Sequence, residues 1–292
     1  MSLQKDFKSF VRQDEPLAPH TWFRLGGSAE YFAEPETVDE LTALVKRSRE
    51  LELSVRVLGG GSNILVRDEG VSGVVVQLTA DVFNTINIDG RQVTVGGGAK
   101  LGHVIASTVR AGLSGLENLV GIPGTVGGAL HGNAGGHSGD VGQWISHATV
   151  MTRAGEIFER SPDDLVFAYR HSSLDELVII EGRCELEEGD PVELTKRMQK
   201  QWIIKKASQP LSHQSAGCIF KNPRGMSAGM LIDQAGLKGT QVGEAVVSER
   251  HANFIIAESN AKSQDVMRLI ELVRGRVSER LGVELEQEIE VW

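Results

Sequence analysis

The chain has 292 residues, a formal net charge of −9 and 40% hydrophobic residues, enough for two or three substructures with cores of their own. That acidic balance excludes a general nucleic-acid surface, which needs clustered lysine and arginine, but not a few local cations around a diphosphate. No apolar run approaches the ~20 residues of a membrane helix.

Met1-Ser2-Leu3-Gln4-Lys5-Asp6 lacks the apolar core of a signal peptide. Two cysteines, Cys184 and Cys218, argue against a disulfide framework. A reduced, cytoplasmic protein is therefore expected. Glycine supplies 34 residues, well above the roughly 7% of ordinary proteins. No collagen-like period explains the excess, so it points to tight turns and close backbone approaches.

In chain order, 37–53 predicts a helix: Thr37 and Glu40 form a capping-box pair, and Val38, Leu41, Leu44, Val45 and Leu51 make an apolar stripe. Residues 54–58 predict a strand that enters Gly59-Gly60-Gly61-Ser62-Asn63, with short strands at 64–66 and 73–78. A strand at 92–95 leads through Gly96-Gly97-Gly98 into a helix over 100–111. Residues 116–142 carry no usable period, and a loop of that length inside a compact domain is usually functional. Strands resume from Ala148, with a hairpin return at 156–158.

Asp190-Pro191 opens a helix with Asp as cap and Pro at the first position, running to Lys205-Lys206. The main boundary falls near Gln209-Pro210. Beyond it come a strand around Cys218, a short helix from Ser227 and a strand over 246–257. An amphipathic helix follows, capped by Ser263 and ended by Gly282, and 283–292 alternates as a last strand. The sum is an α+β chain without a 20–50-residue repeat.

Gly59-Gly60-Gly61-Ser62-Asn63 after a strand is a candidate phosphate nest, because glycines let amides converge on an anion without Cβ obstruction. It breaks the dinucleotide pattern, since Ile64 stands at the last glycine, and no Gly-Lys-Ser/Thr makes a P-loop. Gly121-Ile122-Pro123-Gly124-Thr125-Val126-Gly127-Gly128 and Asn133-Ala134-Gly135-Gly136 form a second glycine segment, in which Pro123 fixes φ and stiffens the loop. A plain glycine turn and a ligand-free surface loop are the alternatives.

Cys218 reads either as a buried hydrophobe or as a partly exposed thiol beside Lys221. Arg170 reads as a solvated charge, and His251 with Asn253 as a polar pair sharing a strand face. Glu284, Glu286, Glu288 and Glu290 share one face of the last strand, and nothing intrinsic singles one out.

From about Thr21 to Glu290 these motifs, in this order, resemble the UDP-N-acetylenolpyruvoylglucosamine reductase family. Thr21-Trp22-Phe23-Arg24-Leu25-Gly26-Gly27-Ser28-Ala29 is similar to its opening flavin-domain motif. Gly217-Cys218-Ile219-Phe220-Lys221-Asn222-Pro223, Leu231 to Gly239 and His251-Ala252-Asn253-Phe254-Ile255 resemble its C-terminal domain. The resemblance implies a two-part FAD-binding region of vanillyl-alcohol-oxidase type plus a C-terminal α/β substrate-binding domain. The expected segments are 1–72, 73–208 and 209–292, with the last strand a candidate to return to the first. It also implies the shorter branch of the family, with no tyrosine-bearing insertion ahead of Lys206.

By that resemblance, non-covalent FAD is held by Leu58, Gly59, Gly60, Gly61, Ser62, Asn63, Gly121, Ile122, Pro123, Gly124, Thr125, Gly127, Gly128, Asn133, Ala134 and Gly135. The implied co-substrate is NADPH, and the implied substrate is UDP-N-acetylglucosamine enolpyruvate, contacted by Tyr169, Lys206, Lys221, Asn222 and Asn253. A hydride reaches the alkene, Arg170 and Glu288 polarise the carboxylate, and Cys218 protonates the α-carbon.

The family usually has serine at the position of Cys218. A thiol, with an ordinary pKa of ~8.5, is the stronger acid and stays competent as a donor. Gln287 stands where the family often has proline. A monomer without nucleic-acid or membrane partners is expected. The alternatives are another flavin oxidase or dehydrogenase of this fold acting on a hydroxy acid or alcohol, and a UDP-sugar-binding protein that has lost catalysis.

Overall fold

The structure, a computed structural model, describes residues 3–136 and 138–292. Backbone contacts gather it into two compact units: Met1–Glu15, Glu30–Gly60 and Ser72–Ile204 form one, and Pro16–Ala29, Gly61–Val71 and Lys205–Trp292 the other. These units cut the chain differently from the expected segments, because 16–29 and 61–71 join the C-terminal residues. The parallel pairing of Ile64–Leu65 with Glu290–Val291 shows why: the last strand returns to a segment more than two hundred residues earlier. No helix among the described residues is long and apolar enough to cross a membrane.

In the first unit, strands Val11–Pro16, Ser28–Ala33, Val71–Val76 and Val55–Val57 lie side by side in that order. The helix Val38–Glu50 buries Leu41, Leu44 and Val45 in one core with Val74 and Val76. Thr37 Oγ1 accepts from Glu40 N–H at 3.1 Å, while the Glu40 carboxylate accepts from Glu36 N–H rather than from the cap. A five-stranded antiparallel sheet follows, ordered Ile157–Arg160, Ile145–Met151, Val178–Glu185, Gln92–Gly96, Ile86–Asp89. The helix Leu101–Arg110 shares its core through Leu101, Val104, Ile105 and Val109.

The stretch 116–142 is not structureless: Val126–His131 is helical. Two glycines hide it from propensity, but Val126, Ala129 and Leu130 are buried in the shared core and Thr125 Oγ1 caps Gly128 N–H. Packing overrides propensity there.

In the second unit, the helix Ser263–Leu281 buries Val266, Leu269, Ile270, Val273 and Val277 with the hairpin Ala245–Val247/Ile255–Ala257 and the helix Ala228–Gln234. Gly282 ends it in a left-handed conformation at φ 68°. Ser263 is the first helical residue, not the cap. Its hydroxyl accepts from Asp68 N–H at 3.0 Å, and Asp68 Oδ1 accepts from Ser263 N–H at 3.2 Å.

Three strand expectations change. Residues 246–257 form a hairpin whose connecting loop carries His251 and Asn253, so these two do not share a strand face. Around Cys218 there are only isolated bridges, Cys218 to Phe254 and Phe220 to Gln287. The last segment is a regular strand only at Glu290–Val291, although its alternation survives in the burial of Leu285 and Ile289.

Asp265 anchors this unit. Burial pushes its carboxyl up, but the amides of Lys262 and Glu244 and the Arg268 guanidinium outweigh that and hold it below the ordinary carboxylate value. Asp265→Ala should lower the melting temperature by about 2–4 °C near neutral pH, the usual effect of losing a helix-terminal bond. A folded pKa below the unfolded one gives stability that is full above the unfolded value and lost as pH falls through the folded value. Thermal melts of parent and variant should therefore converge as pH falls well below the ordinary carboxylate range. A gap that persists into acid would contradict this role.

Candidate active site

The first unit presents two glycine loops in contact. A Cβ on Gly60 would sit 2.6 Å from Gly124 Cα, and one on Gly59 would sit 2.7 Å from Thr125 Oγ1. Only glycine lets these backbones meet. Leu58, 1% exposed, is anchored by its amide to Val76 O at 2.8 Å. In the second unit, Gly61 takes φ 63° and a Cβ there would collide with His20 O. Its carbonyl accepts from Trp22 N–H at 2.9 Å. Among the described residues, the amides of 59–63 make no hydrogen bond to a backbone carbonyl outside regular elements, the condition an anion nest requires.

The second glycine segment is less free than its sequence suggests. The amides of Ile122, Val126 and Gly127 donate to Leu119, Ala99 and Gly97 carbonyls. Those of Asn133 and Ala134 donate to Leu130 and Ala129 carbonyls. Gly121 and Gly124 flank Ile122-Pro123 at φ 80° and 105°. Gly128 keeps an open face, its nearest neighbour for a Cβ being Thr125 Oγ1 at 3.7 Å.

Asn133 is 1% exposed, and its side chain serves the scaffold: Nδ2 donates to Ala168 O at 2.8 Å and Oδ1 accepts from Gly142 N–H at 3.0 Å. It thereby holds the hairpin Phe167–Ala168/His171–Ser172, whose turn is Tyr169-Arg170. Arg170 takes φ 55°, a conformation that disfavours any side chain. Its guanidinium donates to Gly135 O at 3.2 Å and lies 5.1 Å from the Tyr169 ring centre. Tyr169 itself is exposed.

The second unit brings together Cys218, Lys221, Asn222, Asn253 and Glu288. Gly217 takes φ 76°, and its missing Cβ would approach only Ser62 O, at 4.0 Å. Backbone bonds run from Glu288 N–H to Ile219 O at 2.7 Å and from Lys221 N–H to Glu286 O at 2.8 Å. The thiol segment is thus laid against the last strand at Glu288. Asn63 closes the other side, with Nδ2 donating to Glu288 O at 3.3 Å and its carbonyl accepting from Glu290 N–H at 3.0 Å.

Lys221 Nζ pairs with the Glu286 carboxylate at 2.6 Å. Asn222 Oδ1 accepts from Ala228 N–H at 3.0 Å. Glu288 is half-buried where Glu284, Glu286 and Glu290 are exposed. Cys218 is half-buried, whereas burial pushes the Cys184 thiol up to about 12 and leaves it inert.

Sequence reasoning overlooked Arg250, which donates to Lys206 O and Gln209 O at 3.4 Å and so caps the helix Pro191–Ser208. Two carbonyls distant in sequence left no signal for it. It also passed over Lys205. Lys206 is exposed, but Lys205 is half-buried and burial pushes its ammonium pKa down.

A family model described as an FAD binding domain matches residues 29–161, which makes the protein a flavoprotein. A second model, UDP-N-acetylenolpyruvoylglucosamine reductase, C-terminal domain, matches residues 209–292. A reductase of that name, numbered 2, from Symbiobacterium thermophilum is 43% identical over 97% of this chain and 92% of its own length. One from Bacillus subtilis is 38% identical over 96% and 93%. The crystal structure of the Thermus caldophilus reductase superposes with a TM-score of 0.83 at 40% identity, covering 97% of this chain and all of that one.

The chain belongs to the UDP-N-acetylenolpyruvoylglucosamine reductase family. The expected fold class, an FAD-binding region followed by a C-terminal domain of this family, is what these matches describe. The alternative oxidase reading is not favoured, because the kinship runs through the C-terminal domain as well.

The glycine loops fit FAD on their own geometry, since a cradle with unobstructed amides suits a diphosphate. Gly60→Ala, which forces the Gly124 backbone away, should weaken FAD binding at least about tenfold by fluorescence titration. Gly275→Ala is the control. Nothing lies within 4 Å of its Cβ, so it should stabilise the exposed helix by about 0.5–1 kcal/mol and leave FAD binding unchanged. Parent-like affinity in Gly60→Ala would remove these loops from the cofactor site.

Proposed function

We propose that the chain reduces the enolpyruvyl ether of UDP-N-acetylglucosamine to UDP-N-acetylmuramate, with NADPH as reductant, a step of peptidoglycan synthesis. The observation that carries this reading is kinship along the whole chain, 43% identity over 97% of it. Bound FAD would supply the hydride, received from NADPH and delivered to the terminal alkene carbon.

Electron density then moves through the α-carbon to the substrate carboxylate, where the Arg170 guanidinium balances the growing charge and Glu288, as a neutral acid, donates a hydrogen bond to it. The Cys218 thiol gives its proton to the α-carbon and completes the lactyl ether, and the thiolate recovers a proton from water. Gly217 supports that role by leaving space beside the thiol. Arg170 supports it by standing in a strained turn that Asn133 holds, since strain of this kind persists where surrounding structure enforces it.

Lys206, Asn222 and Tyr169 bind the diphosphate and sugar. Among the described residues Lys206 has no ion-pair partner, whereas Lys221 is already paired with Glu286. The reading places the enzyme in the cytoplasm as a monomer, without a nucleic-acid partner.

Stopped-flow kinetics on the reduced flavin test the acid. Cys218→Ser should reoxidise with the enolpyruvyl substrate at a rate comparable to the parent. Cys218→Ala should slow that half-reaction about 10²–10⁴-fold, the span of general acid catalysis, while reduction by NADPH is unchanged. Full turnover in the alanine variant would remove Cys218 from the reaction.

A further inference from the structure

The loop joining Ala245–Val247 to Ile255–Ala257 grips the thiol segment at several points. Asn253 is 2% exposed. Its Nδ2 donates to Phe220 O at 2.8 Å and its Oδ1 accepts from Phe220 N–H at 2.9 Å. Its own carbonyl accepts from Ile219 N–H at 2.9 Å, and the next residue, Phe254, forms the backbone bridge to Cys218. Both backbone groups of Phe220 and the amide of Ile219 are therefore fixed by one residue.

The loop is itself braced. Ser248 Oγ accepts from the amides of Arg250 and His251, and Asn253 N–H donates to His251 Nδ1 at 3.3 Å. The His251 ring stands edge-on to Phe254 with centroids 4.8 Å apart. Arg250 ties the same loop to the helix end that carries Lys206. A side chain so buried, with donor and acceptor both engaged by the backbone of one residue, presents no surface to a substrate. The resemblance placed Asn253 on the substrate, and this geometry gives it another task.

We propose that Asn253 is a positioning residue, which sets the direction of the Cys218 thiol by clamping the backbone of Phe220. This rests on the reading of Cys218 as the proton donor. A donor held two residues from its clamp has little freedom to wander, and proton transfer depends steeply on donor distance and angle.

The test uses the FAD-loaded protein with Asn253→Asp, which keeps the shape and the acceptor but loses the donor to Phe220 O. Asn253→Ser is used beside it, because it buries no charge. Reoxidation of the reduced flavin by saturating UDP-N-acetylglucosamine enolpyruvate should slow about 10²-fold, with reduction by NADPH within about twofold of the parent. The KM for that substrate should stay within about threefold, since no substrate contact is lost.

Independently of turnover, alkylation of Cys218 by iodoacetamide should become about tenfold faster as the segment loosens. Cys184, buried and with its thiol near 12, does not compete. A raised KM with unchanged kcat would put Asn253 on the substrate and overturn the proposal. So would equal loss in both half-reactions, or parent-like reoxidation and alkylation in either folded variant. If the parent flavin is not reoxidised by this substrate, the functional reading falls, and the alkylation rate still decides whether Asn253 clamps the thiol segment.

Discussion

Backbone at Gly60 lies so close to backbone at Gly124 that no side chain fits between them, and Gly61 meets His20 on the same terms. A nucleotide cofactor needs donors brought to a charged diphosphate without Cβ atoms in the way. In the first unit the close approach joins short loops from distant parts of the sequence, and the proposed cradle needs no single glycine-rich turn at the start of a helix. The excess of glycine in the composition is the trace of this solution.

Two buried asparagines perform a matching task away from the cradle. Asn133 holds Ala168 and so the turn that carries Arg170, and Asn253 holds Phe220 and so the segment that carries Cys218. An asparagine side chain has a donor and an acceptor at the spacing of a peptide group, so it pairs with backbone as another strand would. At Phe220 it does this where no regular strand exists. The left-handed Arg170 costs roughly 1–3 kcal/mol by itself, a distortion that survives because its flanks are fixed.

Much of the fold was legible because its signals are local. Thr37, Asp190, Ser227 and Gly282 mark helix ends that stand within a residue or two of where their chemistry puts them. The helix Val126–His131 was not legible, since Gly127 and Gly128 argue against it and only burial supports it. The break in 246–257 was hidden because His251-Ala252-Asn253-Phe254 reads as continuing a strand. Glu288 could not be told from its neighbours by alternation. What separates it is its half-buried place beside Ile219 and Asn63, a matter of long-range pairing. The pairing of Asn253 with Phe220 was hidden for the same reason: the two lie 33 positions apart.

The central claim is that one flavin serves NADPH and the enolpyruvyl substrate in turn. The most direct measurement is anaerobic: reduce the purified holoenzyme with NADPH, add UDP-N-acetylglucosamine enolpyruvate, and follow the visible spectrum. Bleaching by NADPH followed by return of the oxidised flavin on adding substrate is the predicted result. Bleaching without return would mean a flavoprotein with a different acceptor and would contradict the account.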